Sequence, residues 1–222
     1  MYVGTVMQTE LVTVAPETTL ISAQEILEKK QINHLLVVNT NNEFLGIVSD
    51  RDLKKNWASS ATSLSKNELM YLLNQITVES IMTKKTKTIS PGTTIERAGL
   101  LMNQNNINAL PVIENDDLVG ILTSRDVVRV LLEAIGIDKD SSRLTVLVKD
   151  RVGVIADISQ RLREEEINIR SLFTWATVDH PDVYYLVIRV PATMGEKAAA
   201  CIEEQGFKVL SSYIKDLSPY LP

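Results

Sequence analysis

The strongest constraint on this chain is that it repeats itself. Val6-Met7 and a Thr-Val run ending at Ala15-Pro16 return as Ile81-Met82 and a Thr-Ile run ending at Ser90-Pro91. Thr18-Thr19-Leu20, Ala23 and Ile32-Asn33 return as Thr93-Thr94-Ile95, Ala98 and Ile107-Asn108. Each copy closes on one string, Gly46-Ile47-Val48-Ser49-Asp50-Arg51-Asp52 and then Gly120-Ile121-Leu122-Thr123-Ser124-Arg125-Asp126. The copies lie 75 residues apart at Met7 and Met82 and 74 apart at Gly46 and Gly120, so one residue was lost in between. A repeat fixes architecture before any local reading. Two copies of about fifty residues are too few for a solenoid. They predict two modules packed face to face, with matched clefts.

Each copy reads strand, helix, strand, strand, helix. In the first, residues 11–14 form a short β-rich run stopped by Pro16. Thr18 or Thr19 caps a helix whose apolar positions Leu20, Ala23, Ile26 and Leu27 recur at helical spacing. Residues 32–38, an apolar run around His34, have the pattern of a strand buried on both faces. Asn39-Thr40-Asn41-Asn42 is turn chemistry, residues 44–48 return as a strand, and Ser49 opens a second helix. The second copy repeats the course with a strand at 86–89, a helix at 94–103 and strands at 109–113 and 118–122. Between the copies, residues 58–63 make a small polar linker. Ser65-Lys66-Asn67-Glu68 then has capping-box spacing before Leu69, Met70, Leu72, Leu73 and Ile76. That amphipathic helix is expected to span the two modules or to sit at a subunit contact.

The pattern changes after residues 136–142, a helix stop followed by polar residues. A strand at 144–148, a tight loop at Asp150-Arg151-Val152-Gly153 and a helix at 155–166 come first. Strands at 169–178 and 183–190, a helix at 195–205 and a strand at 207–212 complete a ferredoxin-like β-α-β-β-α-β order. The fold class is therefore α+β. The expected segments are 1–57, a linker with helix at 58–80, 81–139, 142–216, and a tail at 217–222 with no readable signal.

Composition narrows the function by exclusion. A net charge of −5 argues against a general nucleic-acid binder, which needs clustered cations for phosphates. No apolar run reaches the length of a membrane span, and no secretory signal is visible, so the expectation is a cytoplasmic protein without membrane contact. Cys201 stands alone, which excludes an internal disulfide and a cysteine metal cluster. It shares a helical stripe with Ala198 and Ile202 and reads as core packing. His34 sits in an apolar strand, and His180 precedes Pro181 in a turn. No Walker loop, metal-spaced histidine pair or nucleophile elbow is present. The expectation is that the chain is not an enzyme.

The doubled Ser49-x-x-Asp52 and Thr123-x-x-Asp126 segments are the exception. Each falls where a strand ends and a helix begins, where free N–H groups and the helix dipole favour an anion. A carboxylate three residues in can accept hydrogen bonds from both hydroxyls of a ribose, and Arg51 and Arg125 add cations beside a phosphate. The plainer reading is a helix cap with a first-turn acid, worth ~1 kcal/mol to the fold. Both can hold for the same atoms.

This doubled pattern, Gly-apolar-apolar-Ser/Thr-x-x-Asp after Ile-Asn, resembles a tandem cystathionine-β-synthase (CBS) domain pair, or Bateman module, over about residues 1–139. The resemblance implies two clefts binding an adenosine derivative as regulatory ligand: AMP, ADP, ATP, S-adenosylmethionine, NAD or cyclic di-AMP. It implies Asp52 and Asp126 at ribose, with Ser49 and Thr123 on the phosphate side. It places Val12, Asn33 and His34, with Lys87, Asn108 and Ala109, around adenine through strand backbone. Because one cleft can draw on both halves, these sets are not paired with each other. Leu36 stands where the second copy has Pro111, and His34 where it has Ala109, so the clefts are not equivalent.

Residues 142–216 resemble an ACT domain, through Lys149-Asp150-Arg151-Val152-Gly153-Val154-Ile155 and Ile167-Asn168-Ile169. The resemblance implies an amino acid held between paired copies at this loop, with Asp150 and Asn168 on its polar groups. Gly153, Val154 and Ile155 would offer close backbone approach and a helix start. The plainer reading is that Gly153 makes the turn and Asp150 caps the helix. A CBS pair followed by an ACT domain is similar to AcuB-type acetoin-utilisation regulatory proteins. That implies a non-enzymatic allosteric sensor acting on an unidentified protein target, and the open edge strand of a single ACT sheet leads us to expect a homodimer. The alternative is a constitutive interaction scaffold with degenerate clefts.

Overall fold

The computed structural model describes residues 1–57, 65–137 and 140–222. The polar linker expected at 58–63 lies outside the described residues. The chain forms two compact units, residues 1–128 and 129–222.

In the first unit β1 (Thr13–Val14), α1 (Leu20–Lys30), β2 (His34–Val38), β3 (Phe44–Ser49) and α2 (Asp50–Asn56) make the first copy. After α3 (Lys66–Gln75) and α4 (Val78–Ile81), the second copy follows as α5 (Ile95–Asn105), β4 (Ala109–Glu114), β5 (Asp117–Thr123) and α6 (Ser124–Ile135), which continues past the unit boundary. Thr19 and Thr94 cap α1 and α5 alike, accepting from the N–H of Ser22 and Arg97 at 3.3 Å. The two helices also end alike, with Gln31 and Asn106 in the left-handed region at φ 53° and 52°. Both hairpins, β2–β3 and β4–β5, are antiparallel and carry the same register shift, at Val37/Val38 and Val112/Ile113.

The copies differ at their first strand. β1 lies parallel to β2, and Leu36 N–H donates to the Val12 carbonyl at 3.3 Å. The expected strand at 86–89 reduces to one parallel bridge, Ile89 to Val112. Pro111 occupies the position of Leu36 and has no N–H to give Lys87, so the ladder cannot extend.

The segments leading into each copy are exchanged. Val3 N–H donates to Thr93 O and Gly4 N–H to Pro91 O, whereas Val78 N–H donates to Thr18 O and Glu79 N–H to Pro16 O, all at 2.8–2.9 Å. Further on, Gln8 pairs with Ile121 of β5, and Thr83 pairs with Ile47 of β3. Each leading segment therefore completes the other copy. Val3 and Val78, at equivalent positions, are fully buried. Each side chain contributes about 1.5–3 kcal/mol of apolar burial to closing the pair. The glycines at the crossings follow from this geometry. A Cβ on Gly46 would stand 2.5 Å from the Thr83 carbonyl oxygen, and one on Gly120 would strike the Met7 side chain. Helix α3 packs on α1, and its Leu73 joins Leu20, Leu27, Leu35 and Val48 in the first copy's core.

The second unit holds β6 (Ser141–Lys149), α7 (Val154–Glu164), β7 (Ser171–Ala176), β8 (Val183–Pro191), α8 (Gly195–Glu204) and β9 (Lys208–Leu210). The sheet runs β7-β8-β6-β9, antiparallel throughout. This is the expected ferredoxin-like order. Leu144, Val146 and Val148 alternate toward α7 and α8, where Ile158, Leu162, Ala198, Cys201 and Ile202 complete the core. The tail, expected to carry no readable signal, nevertheless packs: Leu217 and Tyr220, with Ile214 ahead of them, cover Leu147, Val183 and Tyr185.

Candidate functional site

One cavity of about 960 Å³ opens in the first unit, where the ends of β2, β3, β4 and β5 meet the starts of α2 and α6. All twelve residues named for nucleotide line it: Val12, Asn33, His34, Ser49, Arg51, Asp52, Lys87, Asn108, Ala109, Thr123, Arg125 and Asp126. Residues of both copies contribute to this lining.

Its acid residues are set by local helix-start chemistry. Ser49 caps α2 in a reciprocal box. Asp52 Oδ2 accepts from Ser49 N–H at 2.9 Å and from Ser49 Oγ at 2.5 Å, and Asp52 N–H donates to Ser49 Oγ at 3.3 Å. Thr123 and Asp126 repeat this at α6, with distances of 3.0, 2.6 and 3.3 Å. The capping reading therefore holds in both copies, and it occupies one carboxylate oxygen of each aspartate. Since α2 runs for only seven residues, its dipole offers little to a phosphate there, and side-chain cations matter more.

Those cations are at hand. Arg51, Lys55, Lys85, Lys87 and Arg125 line the cavity as exposed side chains, and none forms an ion pair among the described residues. Asp50 is instead engaged by Lys54 at 2.7 Å. His34 stands opposite Ser49 in the β2–β3 register. Burial holds its pKa below the ordinary 6.5, while the Asp52 charge pulls the other way. The sequence pattern did not single out Gln8, Lys55, Thr83 or Lys85. Applying the repeat offset to the segment ahead of the first strand would have matched Gln8 to Thr83.

A second cavity, of about 540 Å³, opens in the other unit. Asp150, Gly153, Val154 and Ile155 line it, beside Arg151, Thr174 and Tyr184. Asn168 does not. It is exposed in the link between α7 and β7, where its neighbour Ile167 turns into the core. Asp150 does not cap α7 either; the N-cap is Gly153 at φ 93°, and no side chain serves it. Arg151 meanwhile reaches over to Asp157 in the first turn at 2.6 Å.

The sequence matches the CBS domain over residues 3–59 and 78–133, the two copies that build the large cavity. The chain belongs to the CBS-domain family. The ACT domain matches residues 142–204, so the order is two CBS domains and then an ACT domain, both of them regulatory modules. The CBS pair is similar to a Vibrio cholerae protein assigned to acetoin utilization (AcuB), at 27% identity and TM-score 0.51, covering 62% of this chain and 94% of that one. It is also similar to the CBS-pair protein CBSX2 from Arabidopsis thaliana, at 31% identity and TM-score 0.51, covering 60% and 94%. CBSX2 is known in complex with AMP. Among curated proteins, a homoserine O-acetyltransferase from Methanohalobium evestigatum is 30% identical over 133 residues, 60% of this chain and 24% of that enzyme. An inosine-5'-monophosphate dehydrogenase from Nitrosopumilus maritimus is 26% identical over 125 residues, 56% of this chain and 23% of the enzyme. The chain thus spans about a quarter of the length of these relatives. Among the described residues no cluster of three or more His, Cys, Asp or Glu could hold a metal, and no helix is long and apolar enough to cross a membrane.

Proposed function

We propose that this chain is a cytoplasmic, non-enzymatic regulatory protein whose CBS pair senses a phosphorylated adenine nucleotide. The observation that carries the reading is the lining of the 960 Å³ cavity. Two capping-box carboxylates suit ribose, strand-end backbone at Asn33–His34 and Asn108–Ala109 suits adenine, and five cations without ion pairs suit phosphates. The same cations disfavour the sulfonium of S-adenosylmethionine, which brings a positive charge of its own. In the ACT domain the smaller cavity takes an amino acid, its α-carboxylate toward the start of α7 after Gly153 and its ammonium toward Asp150. The signal passes to a protein target through a homodimer.

Thermal shift with AMP, ADP, ATP and S-adenosylmethionine tests the reading, because a ligand of the folded state raises the midpoint with its concentration. ATP and ADP are expected to stabilise most, and the effect should shrink as salt rises. No shift with any of the four would instead favour a constitutive scaffold with degenerate clefts.

A further inference from the structure

The two carboxylates in the cavity are not equally free. Asp126 is only 7% exposed. Its Oδ2 accepts from the Thr123 N–H and hydroxyl, and its Oδ1 accepts from Gln8 Nε2 at 3.3 Å. Asp52 has the same engagement of Oδ2, but among the described residues nothing donates to its Oδ1, and the side chain is half-buried on the cavity wall. The exchanged leading segments explain the difference. Gln8 is laid against β5 of the second copy, so its amide reaches Asp126. Its counterpart on the first copy is Thr83, laid against β3; that side chain is too short to repeat the contact and makes no hydrogen bond to Asp52. The neighbouring cations differ in the same sense. Lys55 of α2 lines the cavity without an ion pair, whereas Arg129, at the matching place on α6, pairs with Glu133 at 3.3 Å.

We infer that Asp52 alone is open to a ribose, and that Gln8 holds the second carboxylate, Asp126, closed to it. The inference rests on the nucleotide reading above and narrows it to one occupied position per chain. A vicinal diol needs two acceptor positions on a carboxylate, and only Asp52 keeps a whole oxygen for them. At Asp126 a ribose would have to displace the Gln8 amide and leave it without that partner. Gln8 is thereby an occupancy-determining residue supplied by one copy to the other.

Isothermal titration calorimetry with ATP, and separately with AMP, tests this on the full chain. The wild type is expected to bind one nucleotide per chain, and Asp52→Asn to weaken it tenfold or more, since a neutral amide replaces the charged acceptor. Gln8→Thr, which copies Thr83, is expected to raise the stoichiometry to two. Adding Asp126→Asn to Gln8→Thr should return it to one. The two Gln8 variants keep the test informative if Asp52→Asn folds poorly, which circular dichroism would report. Two nucleotides per wild-type chain, wild-type affinity in a folded Asp52→Asn, or one nucleotide in Gln8→Thr would each overturn the assignment while leaving the functional reading in place. No binding of either nucleotide by the wild type would overturn that reading itself, and this assignment with it.

Discussion

Replacing Gly46 and Gly120 separately by alanine should have unequal effects, although the two occupy equivalent places in the repeat. At Gly46 the new Cβ would stand 2.5 Å from the Thr83 carbonyl oxygen and 3.2 Å from its carbon, and backbone cannot rotate out of the way. The 83 segment must retreat from β3. That weakens the pair of bonds it makes there, Thr83 N–H to Ile47 O at 2.8 Å and Ile47 N–H to Thr83 O at 3.2 Å. Two such bonds are worth roughly 1 kcal/mol each, and overpacking adds roughly 1–3. Against this, removing a glycine where φ is not positive gains about 0.4–1 kcal/mol through the unfolded chain. The net cost for Gly46→Ala is about 2–4 kcal/mol. At Gly120 the Cβ meets the Met7 thioether, the far end of a flexible side chain, and the Gln8 carbonyl oxygen stays 3.3 Å away. Rotation of Met7 relieves most of the clash, so Gly120→Ala should cost about 1 kcal/mol or less. Urea unfolding gives the difference, and amide exchange at Ile47 and Thr83 shows whether the exchanged segment has loosened. Equal destabilisation, or a larger loss at Gly120, would refute the argument that close backbone crossing is what requires glycine at 46.

Four further outcomes follow from packing and charge. Burial depresses the His34 pKa below 6.5, so the unfolded chain binds the extra proton first; stability should be complete above that pH and decline as pH falls below it, a slope that His34→Gln removes in pH-dependent urea titrations. Asp52→Asn removes the charge that opposes the depression and should steepen the same slope. Leu217→Ala should cost about 2 kcal/mol in urea unfolding, because Leu217 is buried against Leu147 and Val183, and no loss would show that the tail is not part of the fold. Edge strand β7 leaves Trp175 67% exposed, and a two-fold partner would cover such an edge; sedimentation at micromolar concentration should find a dimer, and a monomer would contradict it.

The repeat made most of the fold legible, because two registered copies of one pattern constrain each other. Thr19 and Thr94 as caps, the Ser49 and Thr123 boxes and the β-α-β-β-α-β order of the second unit all rest on short-range chemistry that sequence spacing carries. Long-range topology was less readable. Nothing local in Val3 or Val78 says that each closes the other copy, since the same apolar residue would serve either neighbour. The strand at 86–89 read as a strand from its β-propensity. It fails because its partner at 111 is proline, a reason lying on a different strand. Among the candidate site residues, Asn168 lies outside the smaller cavity and at the surface, where the burial of its neighbour Ile167 places it. Gln8 was missed because its role depends on the exchange of segments. The tail was unreadable for a related reason: Leu217 and Tyr220 are too few to set a period, and their packing depends on the sheet face they cover.

The central claim is that a phosphorylated adenine nucleotide occupies the cavity of the CBS pair. Hydrogen exchange with and without saturating ATP tests it most directly, because it reports where binding occurs as well as whether it does. The account predicts protection at Asn33–His34, at Ser49–Lys55 and at Thr83–Lys87, with Asp52→Asn reducing it at ATP concentrations near the wild-type midpoint of binding. Protection elsewhere in the chain, or none at these three segments, would contradict it.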